Sequence, residues 1–269
     1  MDVLDHNRKA WNDQVEKGNP WTIPVDSDTI ADARRGKWEL YLTPTRPVPR
    51  AWLPSVEGLD VLCLASGGGQ QGPVLAAAGA RVTVLDNSPR QLERDREVAA
   101  REGLKLTAVE GDMANLAMFA DETFDLLVNP VSNVFAPDVR PVWREAYRVL
   151  RGGGVLIAAF DNPIVHMVDE EEWERTRRIV VKYALPYSDV DTLSDAEKQR
   201  FLEEGIPMEF GHMLEAQIGG QCEAGFIITG MYEDGDRPED RRPLTGFSPA
   251  FIVTRGEKNK SSPHPGIIP

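Results

Sequence analysis

Between residues 60 and 160 the chain alternates two hydrophobic rhythms. Apolar runs of strand length occur at Val61–Ala65 and Val155–Phe160, and β-rich, mostly apolar runs at Val82–Leu85, Leu106–Val109 and Phe124–Val128. Between them, apolar residues recur at the three- and four-residue spacings of a helix. Pro73–Ala78 reads as the first such helix, with Gly79 near its end. The second has Ser88 as N-cap, Pro89 at the first helical position and Gln91 as a capping-box glutamine; it runs toward Arg101 and stops at Gly103. Val142, Trp143, Ala146, Tyr147 and Leu150 mark a third, stopped by Gly152-Gly153-Gly154. Strands apolar on both faces and alternating with helices predict a parallel sheet covered on both sides. The fold class is α/β, doubly wound and Rossmann-like.

The rhythm differs on either side. Residues 1–57 predict helices over Leu4–Glu16 and Ser27–Leu40, the latter with Ser27 as N-cap. Pro44, Pro47, Pro49 and Pro54 then make a stiff, non-helical connector. This segment is expected to form a helical lid. Residues 161–210 hold 12 acidic and 6 basic residues between Asp161 and Glu204, and read as an insertion on the substrate side of the core at 58–160. Over 211–256, His212–Ala224 predicts a closing helix, and Phe226–Tyr232 and Ala250–Thr254 predict strands. These would complete a seven-stranded sheet, mostly parallel with an antiparallel closing strand. Residues 257–269 are expected to be a disordered tail.

Composition narrows the function. The 269 residues carry a net charge of −13, which argues against nucleic acid and anionic membranes as partners. No apolar stretch approaches the roughly 20 residues of a membrane span, and the first residues lack the pattern of a signal peptide. Cys63 and Cys222 stand far apart, suggesting neither a disulfide framework nor a zinc site. A cytoplasmic protein is expected, with no metal ligands.

The chemistry concentrates at Ser66-Gly67-Gly68-Gly69-Gln70-Gln71-Gly72, where the first strand turns into a helix. Glycines there let backbone approach a ligand closely, and the helix start offers unpaired N–H groups. In open parallel sheets such ligands lie beyond the carboxyl ends of the strands. Gly67, Gly69 and Gly72 satisfy G-x-G-x-x-G, and Asp86 follows at the dinucleotide spacing. The loop alone therefore permits a nicotinamide or flavin dinucleotide, S-adenosylmethionine, or a tight turn without a ligand. Gly111-Asp112-Met113, ending the third strand with an acid and an apolar side chain, suits an adenine amino group and an adenine face. The 60 residues before the first strand are unusual for a dinucleotide domain.

The succession Val61–Gly69, Asp86, Gly111-Asp112-Met113, Phe124–Asn129 and Tyr147–Gly154 resembles the class I S-adenosylmethionine-dependent methyltransferases. It is most similar to the small-molecule branch that includes the ubiquinone and menaquinone enzymes. The resemblance implies that Ala65, Ser66, Gly67 and Gly69 lie under the methionine part of the cofactor. Asp86 would hold the ribose hydroxyls with Asn87 alongside, Asp112 and Met113 would flank adenine, and Asn129 would sit near the methionine end. Two positions depart from the family: Cys63 stands where an acid is frequent, and Ala65 where glycine is.

Methyl transfer from a sulfonium needs alignment in a dry site more than a catalytic dyad. A base matters only if the acceptor must lose a proton. His166, just past the fifth strand, and His212, at a helix start, are the candidate bases, each with the alternative of a histidine bonded to backbone. The expected activity is methyl transfer to a small-molecule acceptor, leaving S-adenosylhomocysteine. The alternatives are an NAD(P)-dependent oxidoreductase using the same loop, or a protein that binds S-adenosylmethionine without catalysis.

Overall fold

A computed structural model describes residues 2–237 and 242–260. The amino-terminal segment forms α1 (Val3–Glu16) and α2 (Ser27–Arg34). The core follows as β1 (Asp60–Leu64), α3 (Gln71–Ala77), β2 (Arg81–Asp86), α4 (Pro89–Glu102), β3 (Leu106–Glu110), β4 (Phe124–Asn129), α5 (Arg140–Val149) and β5 (Leu150–Asp161). After β5 come α6 (Glu170–Thr176), the two-residue strand β6 (Tyr187–Ser188), α7 (Asp189–Thr192), α8 (Asp195–Glu204) and β7 (Phe210–Gly211). A π-turn over Glu215–Gly219 leads into α9 (Gly220–Ala224), and β8 (Ile227–Asp234) and β9 (Phe251–Glu257) close the sheet.

The sheet order is β3-β2-β1-β4-β5-β9-β8, and β9 is the strand that runs against its neighbours. Alternation along β1 divides the core between the two faces. Val61 and Cys63 pack on one side with Leu75, Val84 and Leu92. Leu62 and Leu64 pack on the other with Val142, Trp143 and Ala146. Register then does the functional work. Leu64 lies opposite Leu85, and Cys63 opposite Val128, so Ala65, Asp86 and Asn129 reach the same carboxyl edge.

Local signals explain most boundaries. Ser88 Oγ accepts the Gln91 N–H at 3.1 Å, and Gly103 ends α4 in the left-handed region. Asp26, not Ser27, caps α2, its side chain accepting the Thr29 N–H at 2.8 Å. That helix ends at Arg34 and not at Leu40, because the chain turns at Gly36, with φ +76°. The glycine triplet 152–154 does not separate α5 from a strand at Val155. It lies inside β5, where Gly153 N–H donates to the Lys258 carbonyl oxygen. The proline connector is tied to β8 by Asp234, which accepts the Thr45 and Arg46 N–H groups at 3.0 Å.

Residues 161–211 hold α6, α7, α8 and the antiparallel β6–β7 pair. The expected disorder from residue 257 does not extend to its first residues. Glu257 ends β9, and the buried Lys258 ammonium donates to the Tyr147 and Leu150 carbonyl oxygens at 3.0 and 2.7 Å. His264 and the remainder of that tail lie outside the described residues. No described helix is long and apolar enough to cross a membrane.

Candidate active site

A cavity of about 1870 Å³ opens along the carboxyl edge of the sheet beneath the amino-terminal segment. Ala65, Asp86, Asn87, Asp112 and Met113 line it as the strand ends predict. Asp86 is the best-placed acid. One of its oxygens accepts the Gly67 N–H and the other the Ser88 N–H, each at 2.8 Å. Burial pushes its pKa up to about 6 against the pull of those N–H groups, so it is a carboxylate at neutral pH. A Cβ on Gly67 would stand 2.6 Å from Gln91 Cβ and 3.0 Å from Asp86 Cγ. Only glycine lets the loop close onto this acid. Asn87 donates to the Leu4 carbonyl oxygen at 2.9 Å, and Asp112 caps its own turn by accepting the Ala114 N–H at 2.9 Å.

Ala65 holds φ at +47°, the left-handed region that glycine enters without cost. An alanine there forgoes about 1–2 kcal/mol. The departure noted in the sequence is thus a strained residue at the mouth of the loop.

Four of the expected cofactor residues are not on the cavity wall. Ser66 is buried and donates to Gln71 Oε1 at 3.1 Å. Gly67 and Gly69 lie behind it, and the Gly69 carbonyl accepts the Val25 N–H at 3.0 Å. Asn129 is fully buried, donating to the Leu64 carbonyl oxygen at 3.0 Å and to Ser132 Oγ at 2.9 Å. Their side chains and backbone bond within the loop and across the β1–β4 seam, not into the cavity.

Both histidines are also off the wall. Nε2 of His212 donates to the carbonyl oxygens of Ala136 (2.9 Å) and Asn133 (3.2 Å), and burial lowers its pKa. The Nε2 bonds tie the ring to the backbone of the 133–136 turn. His166 stacks on Tyr187, its Nε2 3.4 Å from Asp161 Oδ2. Burial opposes its charge, but Asp161, Glu209 and Asp189 together raise its pKa. It meets the cavity only through Asp161 and Glu209, which do line it.

Sequence reasoning missed several wall residues. Gln70 and Gln71 follow the glycine triplet directly and hold the covering segment. Gln70 donates to the Ile23 and Pro20 carbonyl oxygens (3.0 and 3.3 Å), and Gln71 to that of Tyr41 (2.9 Å). Opposite the strand ends the wall is made by Trp11, Trp21, Trp38, Tyr41 and Phe135, and Phe251, paired with Asp161, adds a ring at the sheet edge. Asp161, at the carboxyl end of β5, had a positional signal that could have found it; Glu209 had none.

A nucleotide-sized edge set by strand-end acids, opening into an aromatic chamber, fits a group-transfer enzyme with a nucleoside cofactor. Residues 62–158 match the family described as "Methyltransferase domain". The chain is 52% identical over 232 residues to the uncharacterized methyltransferase YbaJ of Bacillus subtilis (strain 168), covering 86% of this chain and 91% of that protein. It is 39% identical over 102 residues to the sterol 24-C-methyltransferase erg6 of Aspergillus fumigatus, covering 37% of this chain and 27% of that enzyme. An S-adenosylmethionine-dependent methyltransferase structure from Mesorhizobium loti superposes with a TM-score of 0.57 at 20% identity, over 77% of this chain and 94% of that one. The chain belongs to the class I S-adenosylmethionine-dependent methyltransferases. The oxidoreductase alternative is set aside by that membership.

Proposed function

We propose that this methyltransferase acts on a small-molecule acceptor with an apolar body, held in the aromatic chamber beneath the amino-terminal segment. The carrying observation is that one continuous cavity of about 1870 Å³ joins the strand-end acids to Trp38, Tyr41, Phe135 and Phe251. Such a chamber has the size and lining of a small-molecule site. The sterol relative, matched over 102 residues, supports the reading.

The residues on the cofactor edge fit S-adenosylmethionine. Asp86 offers a carboxylate to ribose hydroxyls, Asn87 stands beside it, and Asp112 and Met113 offer an acid and an apolar face to adenine. Ala65 and the loop glycines bring backbone close to the methionine end, and Asn129 fixes the seam beside it. When bound, the cofactor supplies an electrophilic methyl group for in-line displacement. The chain's own part is to orient the acceptor and exclude water, with the 20–25 strap latched over the loop by Gln70 and the segment at Tyr41 by Gln71. Asp161 and Glu209 stand where a proton leaving the acceptor could be received, with His166 behind them.

The test is release of S-adenosylhomocysteine, followed by mass spectrometry, across panels of hydroquinones, sterols, amines and phenols. Turnover with at least one small molecule is expected. Turnover only with protein or nucleic acid would overturn the proposal.

A further inference from the structure

The buried face of α4 carries Leu92 and Val98, and in the same register stands Asp95. Periodicity calls for an apolar residue there; the chain places a carboxyl group with no exposure at all. Asp95 Oδ2 accepts the Gly68 N–H at 3.1 Å, and that N–H also lies 3.0 Å from the Gln91 carbonyl oxygen. The first two turns of α4 thus carry the middle of the glycine loop, while Asp86 carries the preceding N–H.

Two acceptors at this contact lack a donor. Asp95 Oδ1 and Gln91 Oε1, one helical turn apart, are buried and make no hydrogen bond among the described residues. Both border the loop. A Cβ on Gly72 would lie 3.2 Å from Asp95 Oδ1, and one on Gly68 would lie 3.1 Å from Gln91 Oε1. The ionisable groups facing Asp95 are Asp86 at the end of β2 and the Cys63 thiol on β1. The adjoining α3 and the 20–25 strap contain no ionisable residue. An ionised Asp95 would be a buried, uncompensated charge beside a second acid, an arrangement interiors avoid. A carboxylic acid supplies the missing donor instead.

We propose that Asp95 is a neutral acid that donates its Oδ1–H to Gln91 Oε1 and holds the Gly68 N–H through Oδ2, and that this pair positions the glycine loop for S-adenosylmethionine. Burial pushes the Asp95 pKa up to about 8, against the pull of the Gly69 and Gly68 N–H groups, and the Asp86 charge adds to the rise. Asp95 does not touch the cavity, so it is a positioning residue. The proposal rests on the cofactor reading of the cleft.

The experiment compares wild type, Asp95→Asn and Asp95→Leu by calorimetric titration with S-adenosylhomocysteine between about pH 7 and about pH 9, above the Asp86 transition. Asn keeps one acceptor and one donor but cannot ionise. Wild-type affinity is expected to fall about tenfold across that range as Asp95 loses its proton. Asp95→Asn should match wild type at neutral pH within about twofold and stay flat, and Asp95→Leu should bind at least about tenfold more weakly throughout.

Melting of the ligand-free proteins gives a second readout. The acid ionises in the unfolded chain above its ordinary 3.8 but in the folded chain only near 8, so wild-type stability falls as pH rises between them. The melting temperature of Asp95→Asn should exceed that of wild type by a gap that widens over that window. An Asn variant as impaired as Leu, a Leu variant that binds normally, or a constant melting gap would overturn the proposal. If wild type binds no S-adenosylhomocysteine, the cofactor reading fails, while the melting gap still judges Asp95.

Discussion

The two sides of the cleft are built by different means. On the side proposed for the cofactor, five parallel strands end in a row, and the proposed contacts and loop supports stand at or just past strand ends. Asp86 and Asn129 close β2 and β4, and Ala65 follows β1. On the acceptor side the wall is assembled from pieces far apart in sequence: α1, the 20–25 strap, the 36–44 segment and the chain around Glu209. The first side is rigid because its backbone is shared by the sheet. The second is held by side chains reaching across, such as Asn7, whose Nδ2 donates to the Met208 carbonyl oxygen at 3.0 Å and to that of Phe135 at 3.2 Å. A substitution at a strand end should therefore strike cofactor binding, whereas one on the far side should strike acceptor use or stability.

The largest expected effect comes from filling the loop. Gly67→Val should abolish S-adenosylhomocysteine binding in calorimetry while far-ultraviolet circular dichroism stays unchanged. Its branched side chain would run into Gln91 and Asp86. A variant that still binds would place the cofactor elsewhere.

Next is Asp86, the proposed ribose contact. Asp86→Ala should weaken cofactor binding by about 1.5–3 kcal/mol, the scale of hydrogen bonds to a charged group. In wild type the same contact should weaken as pH falls through about 6, because protonation removes the charged acceptor. Affinity measured from pH 7.5 down to about 5 reads this directly. A flat profile would mean that Asp86 is not the ribose contact.

A smaller effect separates the two sides. His212→Asn should lower unfolding stability by about 1–2 kcal/mol, since it leaves the Ala136 carbonyl unpaired and takes one of two donors from that of Asn133. Turnover of the folded fraction should stay within about twofold of wild type. A large loss of turnover at unchanged stability would restore His212 as a base. The smallest effect is a gain: Ala65→Gly should relieve left-handed strain and raise stability by up to about 1 kcal/mol in denaturant titration.

The same division governs what was legible in the sequence. The Ser88-Pro89 start of α4, the strand runs and the strand-end acids follow from local rules, so Asp86, Asp112 and Met113 could be placed on the cavity from the chain alone. The family motif placed Ser66 and Asn129 near the cofactor, but a motif does not reveal which way a side chain turns, and both turn inward. Glu209 reaches the cleft only because β7, next to it, pairs with β6, and no pattern around residue 209 encodes that partner. Asp95 could be seen as an acid in an apolar stripe, yet its meaning depends on the loop that folds over it.

The most direct test of the account is a calorimetric titration of wild type and Asp86→Ala with S-adenosylmethionine and S-adenosylhomocysteine, beside NAD and NADP. Saturable binding of the first two alone, weakened by the substitution, is the predicted result. Binding of a dinucleotide, or binding of S-adenosylmethionine indifferent to the loss of Asp86, would contradict it.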